Sequence, residues 1–277
     1  MDKQFWISLA KNDYKIPEKH TLEELTNTLF GYLSSTDPEL RDDIGYIVYA
    51  NFLKREMYSS EVIRRHVDEL LSNLEKGIEE TDTDSVFLRT FSVLLLAEIV
   101  YRDNKSPILD EEQIHTILKK GLWYLDAEKD PRGYIPVKGW AHALAHTADL
   151  MQELGKSRFV EQKDLEKILQ GITSKLTHSI NWVYIHGEDD RLANAIEAIL
   201  QRDVLTMDFL SEWFKSLTEP ETSWKGAYMD NMKVKAYANT RNFLRSLSEV
   251  IRKSEDLPQK DAIQTIVHEA NNNLKPY

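Results

Sequence analysis

The chain has no cysteine, which excludes a disulfide framework and thiolate chemistry while leaving the compartment undecided. It has no excess of basic residues either: Asp and Glu outnumber Lys and Arg by 46 to 35, for a net charge of −11. No window gathers enough cationic side chains to follow a phosphate backbone, so nucleic acid is not an expected partner. Long apolar runs are missing as well. The most apolar segment, residues 86–101, contains Arg89 and Glu98 and falls short of the ~20 uncharged residues a bilayer requires, so it reads as a buried helix and no membrane partner is expected. The opening Met1-Asp-Lys-Gln-Phe-Trp lacks the apolar core and small-residue cleavage site of a signal peptide, which makes the cytoplasm the expected location. A phosphate-binding glycine loop, a G-x-S-x-G elbow, a kinase set and a dinucleotide fingerprint are all missing.

What the chain does have is apolar spacing of three and four almost throughout, broken by short polar or proline-bearing links. No stretch reads as a convincing strand. With 277 residues the chain can bury roughly three quarters of its unfolded surface, and residues 1–277 read as a single helical domain. Thr21-Leu-Glu-Glu is a capping box, in which the threonine oxygen and the glutamate three residues on satisfy free amides. Ser59-Ser-Glu caps an amphipathic helix to about residue 77. Residues 85–101 are apolar nearly all round and must be covered on more than one side. Further helices are expected over 38–54, 110–128, 138–154, 162–178, 189–201, 205–217, 233–253 and 258–273. Gly155 is placed to end the run 138–154 in a left-handed turn.

Helices with a charged face alternate with helices that open after a polar cluster and carry more small or aromatic residues. The second kind begins near Asp42, Asp84, Lys138, Asp189 and Lys233, at separations of 42, 54, 51 and 44 residues, close to the ~40 to 47 of HEAT-type and armadillo-type repeats. The expected fold is therefore all-α, a right-handed stack of helical hairpins forming an α-solenoid with a concave side lined by one helix of each pair. An α/α toroid uses the same alternation closed into a ring and is the alternative.

The runs Arg41-Asp-Asp-Ile-Gly-Tyr, Thr83-Asp-Ser-Val-Phe-Leu-Arg-Thr-Phe-Ser, Glu128-Lys-Asp-Pro-Arg-Gly-Tyr, Lys138-Gly-Trp-Ala-His-Ala-Leu-Ala-His-Thr-Ala-Asp-Leu and Gly187-Glu-Asp-Asp-Arg-Leu together resemble a bacterial family catalogued as a domain of unknown function, number 2785. The resemblance spans residues 41–200. It implies a helical, HEAT-like fold and a bacterial cytoplasmic protein, and it carries over no catalytic residues.

The densest chemistry lies in residues 130–154. At ~100° per residue, a helix starting at His142 places His146 at about 40°, Asp149 at about 340°, Glu153 at about 20° and Lys138 at about 320°, one polar stripe facing away from Leu144 and Met151. His142 and His146, four residues apart, can reach one ion, and Asp149 follows on the same face. That two-histidine, one-carboxylate set would suit Zn²⁺ or Fe²⁺, although the glutamate of H-E-x-x-H is missing. The alternatives are a polar seam, in which the histidines hydrogen-bond Asp149 and carboxylates of the next helix, and a metal-free site in which one histidine acts as acid, base or anion grip. On the following polar helix, Glu188, Asp190, Arg191 and Asn194 are groove candidates, with Glu188 or Asp190 as the acidic partner of the histidines; first-turn carboxylates are equally explained by the helix dipole.

Arg89, set in the most apolar helix, requires a buried carboxylate partner, for which Asp42, Asp43, Asp84 and Asp126 are candidates. Arg132, on the loop bracketed by Gly133 and Gly139, either holds that loop or touches a ligand, and Trp140 supplies an aromatic wall or core packing. Two classes of function follow. In one, a concave polar groove binds a peptide, protein or small ligand; in the other, the same groove is an enzyme site built on His142, His146 and nearby carboxylates.

Overall fold

Helix starts in this chain are written by side-chain oxygens. Asp2, Thr21, Ser59, Asp110 and Thr206 each accept a hydrogen bond from the backbone N–H three residues on, satisfying amides that the first turn leaves without partners. The reciprocal capping box forms at Asp110 and Gln113. At Thr21 only the threonine half of the expected box is present, and the Glu24 carboxylate turns to Nδ1 of His20, 3.2 Å away.

The computed structural model describes residues 1–178, 180–221 and 223–276. Among these, the helices are α1 (Lys3–Lys11), α2 (Leu22–Tyr32), α3 (Ile47–Lys54), α4 (Ser60–Asn73), α5 (Ser85–Lys105), α6 (Glu111–Ala127), α7 (Ala143–Lys156), α8 (Gln162–Thr177), α9 (Glu188–Leu200), α10 (Met207–Thr218), α11 (Lys233–Lys253) and α12 (Lys260–Asn273). A π-helical stretch, Glu39–Tyr46, runs directly into α3. The fold is all-α. No helix among the described residues is long and apolar enough to cross a membrane.

Two rows of helices result. In one, the π-helix and α3 pack on α5, α5 on α7, α7 on α9 and α9 on α11; in the other, α4 packs on α6, α6 on α8, α8 on α10 and α10 on α12. One apolar cluster runs between them from Trp6 to Leu274. α5 has core residues on every side, Phe91, Leu95 and Ile99 among them, as its unbroken apolar composition requires. Gly155 does not end α7 but lies within it, where a Cβ would come within 2.8 Å of Ile199 Cγ1 on α9. Its role is close approach of two helices, not a left-handed cap.

The largest departure from the sequence expectation is at residues 138–142, which are not helical. Tyr134–Ile135 (β1) and Gly139–Trp140 (β2) form a short antiparallel pair, with Tyr134 opposite Trp140 and Ile135 opposite Gly139. Beyond it, Ala141 N–H donates to the Gly133 carbonyl at 2.8 Å and His142 N–H to that of Arg132 at 3.0 Å. Gly139 has φ +79°, and a Cβ there would lie 3.0 Å from Nη2 of Arg41, so both its conformation and its surroundings require glycine. Arg41, fully buried, holds the hairpin from below: Nη2 donates to the Lys138 carbonyl at 2.8 Å, Nη1 to the Ser35 carbonyl at 2.7 Å, and the guanidinium lies 4.1 Å from the Phe87 ring centroid.

Candidate functional site

A cleft of about 720 Å³ opens where the π-helix, α5, the β-hairpin, α7 and the start of α9 meet. Each wall has a local cause. The wide turn of the π-helix presents Asp42, Asp43 and Tyr46; π-bulges of this kind recur at functional sites. α5 contributes Phe91, Glu98 and Tyr101. The hairpin delivers Trp140, whose indole stacks on His142 with ring centroids 4.6 Å apart and planes 18° apart. α7 contributes His146, Asp149 and Glu153, and the loop into α9 brings His186 and Arg191.

His142 is the residue before α7 and sits in the left-handed region at φ +57°, an uncommon conformation for a non-glycine residue and of the kind that collects at functional sites. Its carbonyl still accepts from His146 N–H at 3.0 Å, so the two rings remain neighbours, 5.7 Å between centroids. The tautomers are fixed by carbonyls. His142 Nε2 donates to the His186 carbonyl at 2.9 Å, and His146 Nδ1 donates to the Thr90 carbonyl on α5 at 3.1 Å. The opposite nitrogens, His142 Nδ1 and His146 Nε2, are left as lone pairs. Burial holds both rings neutral, pushing His142 down to about 4 and His146 down to about 3. The helical wheel puts these histidines on one polar stripe facing a groove; they line the cleft but are only 8% and 6% exposed, because α5 and α9 enclose α7 from both sides.

The carboxylates are perturbed in the other direction. Burial raises Asp42 to about 6 against the opposing pull of Arg41, whose Nε lies 2.9 Å from Oδ1. Burial also raises Glu98, which accepts from the Tyr46 hydroxyl at 2.6 Å, and Asp149, which is paired with Arg191 of α9. Glu188 is buried, with Oε2 accepting from the His186 N–H at 2.8 Å; its Oε1 lies 3.9 Å from His142 Nε2 and has no hydrogen-bond partner.

Of the residues singled out from sequence, Trp140, His142, His146, Asp149 and Arg191 line the cleft, and Glu188 stands behind His142. Asp190 and Asn194 are exposed and outside it. Lys138 pairs with Asp84 at 2.7 Å, since its position on the hairpin and not on a helix turns it toward α5. Arg132 clamps its own loop through Asp130 and the Thr83 carbonyl, both at 2.6 Å. Arg89 makes a buried fork with Glu128, Nε to Oε2 at 2.6 Å and Nη2 to Oε1 at 3.1 Å; none of the four aspartates named as candidates is its partner. Both guanidinium groups are engaged by protein partners.

The set His142, His146 and Asp149 does not converge on a metal position. One ring nitrogen of each histidine is occupied by a carbonyl and the carboxylate is held by Arg191. Among the described residues no group of three histidine or acidic side chains is placed to hold an ion. Sequence reasoning missed Asp42, Asp43, Tyr46, Glu98, Tyr101 and His186 as members of the site. A signal existed for one of them: Glu98 is a carboxylate inside the most apolar helix, which burial without a purpose would penalise.

The sequence model of a family described as Protein of unknown function (DUF2785) matches residues 74–248. No curated protein and no solved structure matches the chain.

Proposed function

Since this chain belongs to the family described as Protein of unknown function (DUF2785), we propose its role from its own side chains: it is a binding module that holds a small ligand or part of a peptide or protein in the cleft between α5, α7 and α9. The observation that carries this is the pair of buried, neutral histidines whose tautomers are fixed by carbonyls while their other ring nitrogens are left as acceptors beside a cavity of about 720 Å³. Cavities of that size with a few convergent polar groups are the usual shape of a ligand site. The two-row order of helices supports a HEAT-type solenoid, whose extended face serves binding more often than chemistry. The composition and the family resemblance support a bacterial, cytoplasmic protein.

A fragment screen by ligand-observed NMR tests this, with Trp140→Ala as the control. Fragments that bind the wild type and lose binding in the variant support the role. Fragments that bind both equally place recognition elsewhere.

An enzymatic role draws on a different observation, the gathering of Asp42, Glu98 and Asp149, all raised by burial, in one cleft; perturbed carboxyls cluster where proton transfer is done. In that case Asp42→Asn abolishes turnover of a bound substrate while its affinity remains.

A further inference from the structure

Acceptors dominate the polar lining of the cleft, beside the neutral donors of Tyr101, Trp140 and Gln152. Asp42, Asp43, Glu98, Asp149 and Glu153 face it; Arg41, Arg191 and Lys156 are paired with Asp42, Asp149 and Glu153, which leaves Asp43 and Glu98 without a cationic partner among the described residues. The Tyr46 hydroxyl gives its proton to Glu98 and so offers only lone pairs. His146 is the decisive group. It is 6% exposed, its Nδ1–H is used by the Thr90 carbonyl, and its Nε2 lone pair has no partner among the described residues although the ring lines the cavity. That lone pair is not sealed in the interior but opens on the cleft, where a donor on a ligand can reach it. The Trp140 ring beside these acceptors would attract positive charge as well; the Tyr101 ring already has Lys105 Nζ 5.5 Å from its centroid.

A second cleft of about 500 Å³ adjoins the first and shares Glu98 and Tyr101 with it. Its far side carries the opposite sign, with Lys54, Arg102 and Lys105. Arg102 is paired with Glu56 at 3.0 Å, whereas Lys54 and Lys105 are exposed. The acidic cleft thus leads into a basic one, which disfavours a polycation and suits a ligand whose charge changes sign along its length.

Building on the binding role, we propose that the main cleft receives a single guanidinium or primary ammonium group, presented by an arginine or lysine side chain of a peptide whose neighbouring residues are acidic and lie along Lys54 and Lys105. Donors of the cationic head meet His146 Nε2 and the carboxylates, and the acidic residues meet the lysines. An anionic head would face five carboxylates, and a neutral polyol would bring no counter-charge to Asp43 and Glu98, the two without a cationic partner among the described residues.

Calorimetric titration with four probes tests this: acetyl-Arg-Glu-Glu amide, acetyl-Arg-Lys-Lys amide, spermidine and maltotriose. The acid-tailed peptide is expected to bind most tightly. Trp140→Ala and Glu98→Gln should each weaken it by about tenfold, the equivalent of one charge-assisted contact, and Lys54→Glu/Lys105→Glu should reverse the order of the two peptides. Spermidine binding as tightly as the acid-tailed peptide, or a preference untouched by the double lysine change, overturns the assignment of a peptide with acidic neighbours. Maltotriose binding through Trp140 while both arginine peptides fail overturns the cationic head and leaves the cleft a binding site.

Discussion

Arg89 and Glu128 meet through two parallel hydrogen bonds in the interior, where the arginine is fully buried and the carboxylate 4% exposed. Nη1 of the same guanidinium donates to the carbonyls of Lys76 and Gly77, at 3.1 and 2.7 Å. The pair therefore ties α5 to the end of α6 and to the turn after α4. Glu128→Gln leaves a buried cation short of its counter-charge and is expected to destabilise the fold by about 3 to 5 kcal/mol, whereas Arg89→Met/Glu128→Leu should recover much of that loss. Urea unfolding of the single and double variants measures both.

Two glycines in helices should respond to alanine with opposite signs. Gly31 in α2 has open space where a Cβ would go, so Gly31→Ala is expected to stabilise by about 0.5 to 1 kcal/mol through helix propensity and a less flexible unfolded chain. Gly155→Ala drives a methyl into Ile199 across the α7–α9 contact and is expected to cost about 1 to 3 kcal/mol by overpacking. Thermal unfolding of the two variants side by side provides the comparison.

Much of this fold was legible because a helix advertises itself by period and caps. The spacing places the helix 233–253 with both ends where α11 has them, and places 189–201 one residue beyond α9. The hairpin at 134–140 was not legible. Two-residue strands carry no periodicity, and the chain is held extended there by groups far away in sequence, Arg41 above all. The same reason explains which site residues were found. His146, Asp149 and Arg191 lie on regular helices, where spacing reports direction, while Asp42, Asp43 and Tyr46 reach the cleft through a π-helix, whose wider turn moves side chains off the 3.6-residue wheel.

Stability should fall as the solution is acidified from pH 6.5. His142 and His146 have folded values of about 4 and about 3 against 6.5 for the solvent-exposed imidazoles of the unfolded chain. The unfolded chain therefore takes up protons first, and each histidine contributes a loss of about 1.4 kcal/mol per pH unit until its folded value is passed. Asp42 acts the other way: raised to about 6 from 3.8, it takes up its proton in the folded chain first and adds stability as pH falls through that window. His142→Gln/His146→Gln should flatten the acid limb of the stability curve between pH 6.5 and 4, and Asp42→Asn should steepen it. Urea midpoints measured from pH 7 to pH 4 test both signs.

The most direct measurement on the cleft is the ¹⁵N spectrum of the imidazoles recorded across pH. The expected result is His142 protonated at Nε2 with a bare Nδ1, His146 protonated at Nδ1 with a bare Nε2, and neither ring charged above about pH 5, as acceptors facing a ligand must be. Either ring titrating near 6.5, or His146 carrying its proton on Nε2, would contradict a cleft built to accept hydrogen bonds.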